Sequence, residues 1–317
     1  MKKKRSKLFY GTLLFLECLL WGIGNPVMKI GLEVVPPLYC LSLRYILAFL
    51  LFVLFFGKRI FSKLEKEHLI PYCIISAFTA ASFILCAFAL MKTSATNTGF
   101  LMSTVVIFTP FISYFIQKTK LDKKFGLPII IVTIGLYLLC SGEGGGLLFG
   151  IGEILALLCA ITGAFMLVFS SKYLQTMDPL ITSTMQSGIT GLFCLLFAFI
   201  FEDFPGFTMI PMIGWSVIIY LAIGCTFLAY LFQNIALSHV SATYVALAFC
   251  SEPIFTALAS YFLLGEILSA RGFIGAILIM ISIIMASILP DEIHNKLPDK
   301  IKEEELTDEM EILDKTI

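Results

Sequence analysis

Charge is scarce in this sequence: 14% of its 317 residues are Asp, Glu, Lys or Arg, against roughly a quarter in soluble domains. Apolar residues make up 59% and mean hydropathy is +0.96. That balance excludes an ordinary water-soluble fold and calls for an integral membrane protein. Histidine is rarer still, at three positions (68, 239 and 294) too scattered for a metal site. No aspartate falls inside an apolar stretch, and neither HExxH nor paired histidines occur. Intramembrane metal-dependent transferases and proteases need such groups, so the chain reads as a non-enzyme with no cofactor. The glycine run of Ser141-Gly142-Glu143-Gly144-Gly145-Gly146 is no phosphate loop: no strand precedes it and no Lys-Ser/Thr follows. ATP-driven work would need a second protein. The nine cysteines form no CxxC pair and read as small buried apolar residues. Nothing suggests a nucleic-acid partner, and oligomeric state is not readable.

What the sequence does hold is long apolar runs. A membrane span needs roughly 20 apolar residues. Breaks at charges, prolines and glycines (Gly57-Lys58-Arg59 among them) leave ten runs: 8–31, 36–56, 69–91, 93–116, 124–141, 147–170, 178–200, 210–235, 240–263 and 269–289. The expected fold is an all-α integral membrane protein with ten transmembrane helices. The basic start, Lys2-Lys3-Lys4-Arg5-Ser6-Lys7, leads into too long an apolar run for a cleaved signal peptide. An acidic tail, 290–317, follows the last run.

The chain also repeats itself. Residues 89–124 align without a gap on 236–271 at an offset of 147, with twelve identities in 36 positions. Shared leucines mean little here, but Ser94-Ala95-Thr96 falls on Ser241-Ala242-Thr243, and Ser113-Tyr114-Phe115 on Ser260-Tyr261-Phe262. This is an internal duplication. Cytoplasmic loops of membrane proteins are enriched in Lys and Arg. With the N-terminus inside, eighteen of the 22 basic residues are cytoplasmic, three (Lys29, Lys92, Arg271) are outside and Arg44 is within a span. Both termini are therefore expected in the cytoplasm, in the cell membrane. Five spans per half is odd, so the halves enter the bilayer in opposite senses. Two inverted five-helix repeats are a transporter architecture, with the substrate near the midplane. The expected organisation is a basic N-tail (1–7), a first repeat (8–141), an external linker (142–146), a second repeat (147–289) and the C-tail (290–317).

Two stretches resemble a known family. Trp21-Gly22, Lys29, Pro36-Pro37 and Leu43-Arg44-Tyr45 resemble the opening of EamA-type transporters of the drug/metabolite transporter superfamily. Glu252-Pro253 and Leu264-Gly265-Glu266 resemble its later signature. The likeness covers about residues 8–289. Pro26 after Asn25 departs from the pattern, and the first half carries Val105 where the second has Glu252. The resemblance implies a ten-helix secondary transporter of small metabolites, often outward.

Ionisable side chains at mid-bilayer are costly, so each is a functional candidate. Glu17 and Glu252 fall near the middle of their spans, Arg44 inside the second and Glu153 near the outer end of the sixth. Glu17, Trp21, Asn25 and Lys29 recur at spacing four along one side of a helix. That stripe is either a wall of the substrate path or a polar seam with Lys29 reaching outward. Glu252 either serves transport or forms a structural ion pair with Arg44. The first half has a proline, Pro110, one turn later, and the scaffold is expected to break in both halves. Gln233 and Asn234 read as cavity groups or a helix end wetted by cytoplasm, the latter favoured for Asn234. Asn97 and Tyr244 face each other in the repeat alignment and are candidates for lining the two mouths. The function that follows is secondary export of a small metabolite, such as an amino acid, by alternating access. Lipid-carrier flipping, uptake and a non-transporting sensor are the alternatives. Proton coupling, exchange and facilitated diffusion stay open.

Overall fold

The computed structural model describes residues 2–64, 66–118, 126–140, 150–267 and 269–288. The linker 142–146 and the tail 290–317 expected from sequence lie outside these. Among the described residues the fold is entirely helical. In hydrocarbon no water satisfies the backbone, so each segment must close its own hydrogen bonds, as a helix does. The chain runs through α1 (Lys2–Gly31), α2 (Pro37–Lys63), α3 (Leu69–Lys92), α4 (Ala95–Met102), α5 (Val105–Gln117), α6 (Gly126–Cys140) and α7 (Ile151–Tyr173). It continues through α8 (Pro179–Phe201), α9 (Met212–Ala222), α10 (Ala229–Leu237), α11 (Ala242–Phe249), α12 (Glu252–Leu264) and α13 (Ala270–Ile288). A π-helical turn, Ile223–Leu228, makes α9 and α10 one rod. Among the described residues eight segments are long and apolar enough to cross a membrane, with α4–α5 and α11–α12 each counted as one. α2 runs on to Lys63, straight through Gly57-Lys58-Arg59, which the sequence marks as a break. Charges end the hydrocarbon-embedded part of a helix without ending the helix.

The duplication is visible in the helix boundaries. α4 and α11 start at Ala95 and Ala242 and end at Met102 and Phe249; α5 and α12 run from Val105 and Glu252 to Gln117 and Leu264. Each pair is 147 residues apart. Ser94 and Ser241 both cap the following helix by accepting from the backbone three residues on. Lys118 and Gly265 close these segments in the left-handed region, at φ 51° and 68°. Earlier in the chain the offset is 142: α1 and α7 end at Gly31 and Tyr173, and α2 and α8 open on Pro37 and Pro179.

The segments break at Ser103-Thr104 and at Cys250-Ser251. Pro253 in the first turn of α12 fits the second break, because its ring cannot pack against the preceding turn. Pro110 does not make the first one; it lies inside continuous α5. Hydroxyls do that work instead. Ser103 Oγ donates to the Gly99 carbonyl and Thr104 Oγ1 to that of Leu101 (2.9 and 2.6 Å), competing with the helical ladder. Cys250 Sγ also approaches the Ser103 carbonyl at 4.0 Å, so the two breaks meet.

Packing pairs follow the duplication. α3 lies on α7 and α1 on α9 and α10, α2 lies on α8, α6 on α13, and α4–α5 crosses α11–α12 with α4 against α12 and α5 against α11. α1 approaches α12 closely at Gly22, where a Cβ would sit 2.9 Å from the Glu252 carbonyl oxygen and run into Phe255. Eight cysteines are described and all are free; seven are buried and Cys73 is half-buried, a departure from the sequence reading.

Candidate functional site

The helices converge on Trp21 of α1. Its indole Nε1 donates to the Cys225 carbonyl at 2.7 Å, and its ring packs on Phe83, Tyr230 and Phe249. Two adjoining cavities share Trp21, Phe83, Met102 and Glu252 in their walls. The smaller is completed by Gly24, Asn25, Met28, Arg44, Leu221 and Cys225. The larger is lined on its far side by α7, including Cys159, Ala160, Gly163, Met166 and Leu167. Small-molecule sites have this mix of apolar wall with a few polar groups.

The smaller cavity holds both charges. Asn25 Nδ2 donates to Glu252 Oε1 (2.9 Å) and to Thr256 Oγ1 (3.3 Å), so α1 orients the carboxylate. Arg44 does not pair with it. Its Nε donates to Thr226 Oγ1 (3.0 Å) and Nη2 to the Cys225 carbonyl (3.4 Å). The guanidinium carbon lies 4.9 and 4.8 Å from the Tyr45 and Phe83 ring centroids. Among the described residues Arg44 takes part in no ion pair, so the structural pair expected with Glu252 is not formed. Both acceptors belong to the π turn, which offers the Cys225 carbonyl and the Thr226 hydroxyl to the side chains around it. Such turns concentrate at functional sites.

Other candidates lie elsewhere. Glu17 is fully buried, both its oxygens lack a hydrogen-bond partner, and it lines neither cavity. Gln233 sits behind the larger cavity, its Nε2 on Met166 Sδ at 3.4 Å. Asn234 is fully buried and donates to Ser183 Oγ and Gln186 Oε1 (2.9 and 3.0 Å). The cytoplasm-wetted helix end expected there is a buried polar cluster instead. Tyr244 is buried near the start of α11, its hydroxyl facing Gly11.

Asn97 belongs to a third group. Its Nδ2 reaches Thr93 Oγ1 at 3.5 Å, and Thr93 donates to Glu153. Lys29 does not end in solvent; its Nζ donates to the Thr93 carbonyl (2.8 Å) and pairs with Glu266 (3.5 Å). Glu266 accepts from the Ala95 and Thr96 backbone N–H groups (3.0 Å each) and from the Thr96 hydroxyl. Burial raises its carboxyl, but these donors and Lys29 outweigh that and hold it below the usual carboxylate range. Among the described residues no three His, Cys, Asp or Glu side chains gather to hold a metal ion.

Sequence reasoning missed Phe83, Met102, Cys225 and Thr226. A π turn has no compositional signature, and Ile223-Gly224-Cys225-Thr226 reads as any apolar span.

Comparison with known proteins agrees with this architecture. The EamA-like transporter family matches residues 8–141 and again 150–288. An uncharacterized transporter of Archaeoglobus fulgidus is 31% identical over 287 residues, covering 89% of this chain and 87% of its own. A probable amino-acid metabolite efflux pump of Salmonella typhimurium is 26% identical, with coverages of 85% and 92%. A solved crystal structure superposes with a TM-score of 0.68 at 15% identity, over 90% of this chain and 97% of that one, and so shares the fold. The chain belongs to the EamA-like transporter family and is a multi-pass membrane transporter.

Proposed function

We propose that the protein is a secondary transporter that exports a small zwitterionic metabolite, an amino acid or a close relative, across the cytoplasmic membrane. The observation that carries this reading is the smaller cavity: Glu252 and Arg44 both line it, and neither is neutralised by the other. Two unlike charges kept apart in one buried space suit a ligand with an ammonium and a carboxylate, and suit a singly charged or neutral one less well. Trp21 and Asn25 hold the frame, through the Cys225 carbonyl and the Glu252 carboxylate. The relative named as a probable amino-acid metabolite efflux pump supports both the substrate class and the direction.

Ten membrane-crossing helices in two repeats of opposite orientation accommodate this function. Support comes from the helix boundaries that recur at 142 and 147 residues, and from α4 packing on α12 while α5 packs on α11. With both termini cytoplasmic, the cluster of Lys29, Glu153 and Glu266 faces outside, where it closes that side of the molecule. The site is then reached from one side at a time as the halves exchange shapes. Asn97, within that cluster, belongs to the outer mouth. Gln233 and Tyr244 belong to the cytoplasmic half of the path, and Glu17 is a buried acid available to a coupling proton.

The test is efflux from proteoliposomes loaded with a mixture of amino acids, comparing the unmodified chain with Glu252→Gln and Arg44→Gln. Export that both variants abolish supports the reading. Export that survives in either variant refutes the site, and no export of any zwitterion by the unmodified chain refutes the function.

A further inference from the structure

The two cavities share Trp21 and Glu252, and the larger also takes in residues that the duplication sets in correspondence with the lining of the smaller. Trp21 and Gly163 each lie ten residues before the ends of their helices, Gly31 of α1 and Tyr173 of α7. On the same spacing Asn25 corresponds to Leu167, and at the offset of 147 Glu252 corresponds to Val105. The smaller cavity is lined by Trp21, Asn25 and Glu252; the larger also takes in Gly163, Leu167 and Val105. The corresponding positions thus carry an indole, an amide and a carboxylate in one set, and no side chain, an isobutyl group and an isopropyl group in the other, with the indole and the carboxylate bordering both spaces.

The substitutions are of one kind. Each exchanges a polar or filling group for an apolar or absent one, so the wall of the larger cavity formed by Val105, Gly163 and Leu167 is both emptier and more hydrophobic. At Gly163 a Cβ would find Ser82 Oγ at 3.4 Å and Val105 Cγ2 at 3.9 Å, ordinary contacts. The helix therefore does not need glycine there for close packing, and a larger side chain would extend toward the cavity. Trp21, Phe83, Met102 and Glu252, in the walls of both spaces, form the boundary between them. Methionine is flexible and polarizable and adapts to varied apolar shapes.

Resting on the zwitterion reading above, we propose that the larger cavity is a side-chain subsite. It receives the hydrocarbon end of an amphipathic amino acid whose charged end lies with Arg44 and Glu252. The substrate class is thereby narrowed to zwitterions with long aliphatic or aromatic side chains, and Gly163 sets how large a side chain fits.

The experiment measures binding to the purified full chain in detergent by intrinsic tryptophan fluorescence. The probes are glycine, alanine, valine, leucine and phenylalanine, with n-alkylamines and n-alkyl carboxylates of matched length alongside. In the unmodified chain affinity rises with side-chain length. A pocket that takes up an added methylene discriminates by roughly 10- to 200-fold. Gly163→Leu is expected to weaken leucine and phenylalanine at least about tenfold while leaving glycine and alanine within about twofold. Leu167→Ala, which enlarges the same space, is expected to shift preference toward phenylalanine. Equal weakening of every amino acid by Gly163→Leu, with no shift by Leu167→Ala, overturns the subsite and leaves the zwitterion site standing. If no amino acid binds the unmodified chain but either alkyl series shows a length dependence that Gly163→Leu removes, the subsite stands and the zwitterion reading falls. No length dependence in any series overturns the subsite.

Discussion

The separation of Arg44 from Glu252 makes a quantitative prediction about stability. Breaking a buried ion pair by removing one partner costs about 3–5 kcal/mol, because the other charge is left uncompensated. Here the guanidinium is held by a hydroxyl, a carbonyl and two aromatic faces, and the carboxylate by Asn25. The two groups share no hydrogen-bonding partner. Arg44→Gln forfeits hydrogen bonds to a charged donor, each about 1.5–3 kcal/mol. It also removes a buried cation whose desolvation penalty is several kcal/mol. The two effects oppose each other, so the net change should lie within about 2 kcal/mol of zero. The discriminating measurement is a double-mutant cycle on the unfolding free energy in detergent, using Arg44→Gln, Glu252→Gln and the pair. Residues that share a cavity couple by about 0.5 kcal/mol or more, and without a shared hydrogen-bonding partner the expected coupling lies at that lower end, below about 1 kcal/mol. Transport is expected to vanish in all three variants. A coupling of about 3 kcal/mol or more would show that the charges serve each other, and the case for a waiting zwitterion site would fall.

Further expectations can be checked alongside. Gly22→Ala forces α1 away from α12, because its Cβ would lie 2.9 Å from the Glu252 carbonyl oxygen. The cost should be about 1–3 kcal/mol, with transport reduced through the Asn25–Glu252 bond; unchanged unfolding and efflux would contradict the close approach. Glu17→Met removes two buried oxygens without partners and should raise stability by about 1–3 kcal/mol, seen as a higher midpoint in thermal unfolding. Glu266, with its carboxyl held low, contributes stability that is full above the unfolded-state value and is lost as pH falls through the lower folded-state value. Thermal scans from neutral to strongly acidic pH should show this acid-side loss, and Glu266→Gln should flatten it. Ser94→Ala and Ser241→Ala should each cost about 1 kcal/mol as lost helix caps, read from the same unfolding curves.

Much of this fold is legible in the sequence, since hydrocarbon permits few backbone solutions and long apolar runs announce them. The Ser-Ala-Thr triplets located the duplicated segments and marked both caps. Glu252, Trp21 and Asn25 stood out as candidates because a polar group deep in an apolar run is expensive and needs a reason, and the structure brings the three to one cavity. The partners were not. Whether Arg44 faces Glu252 or the π turn depends on which helix of the other half packs beside α2, and spacing within one helix says nothing of that. Asn234 misled because distance from a helix end predicts wetting only if no neighbour covers it, and α8 does. Pro110 misled for a related reason: a proline inside a helix frees a carbonyl, but Ser103 and Thr104 bend the chain through their hydroxyls seven and six residues earlier.

The meeting of the two helix breaks has a mechanical consequence. Because Cys250 touches the carbonyl of Ser103, each broken segment has its joint at the other's joint, and the four half-helices form a pair of crossed levers on a common fulcrum. α4 presses on α12 and α5 on α11, so tilting one arm outward displaces its opposite across the pivot. Glu252 is the first residue beyond that pivot, where an arm travels least. In the proposed alternation between the halves, a carboxylate placed there would keep its position while the distant ends of the levers open and close.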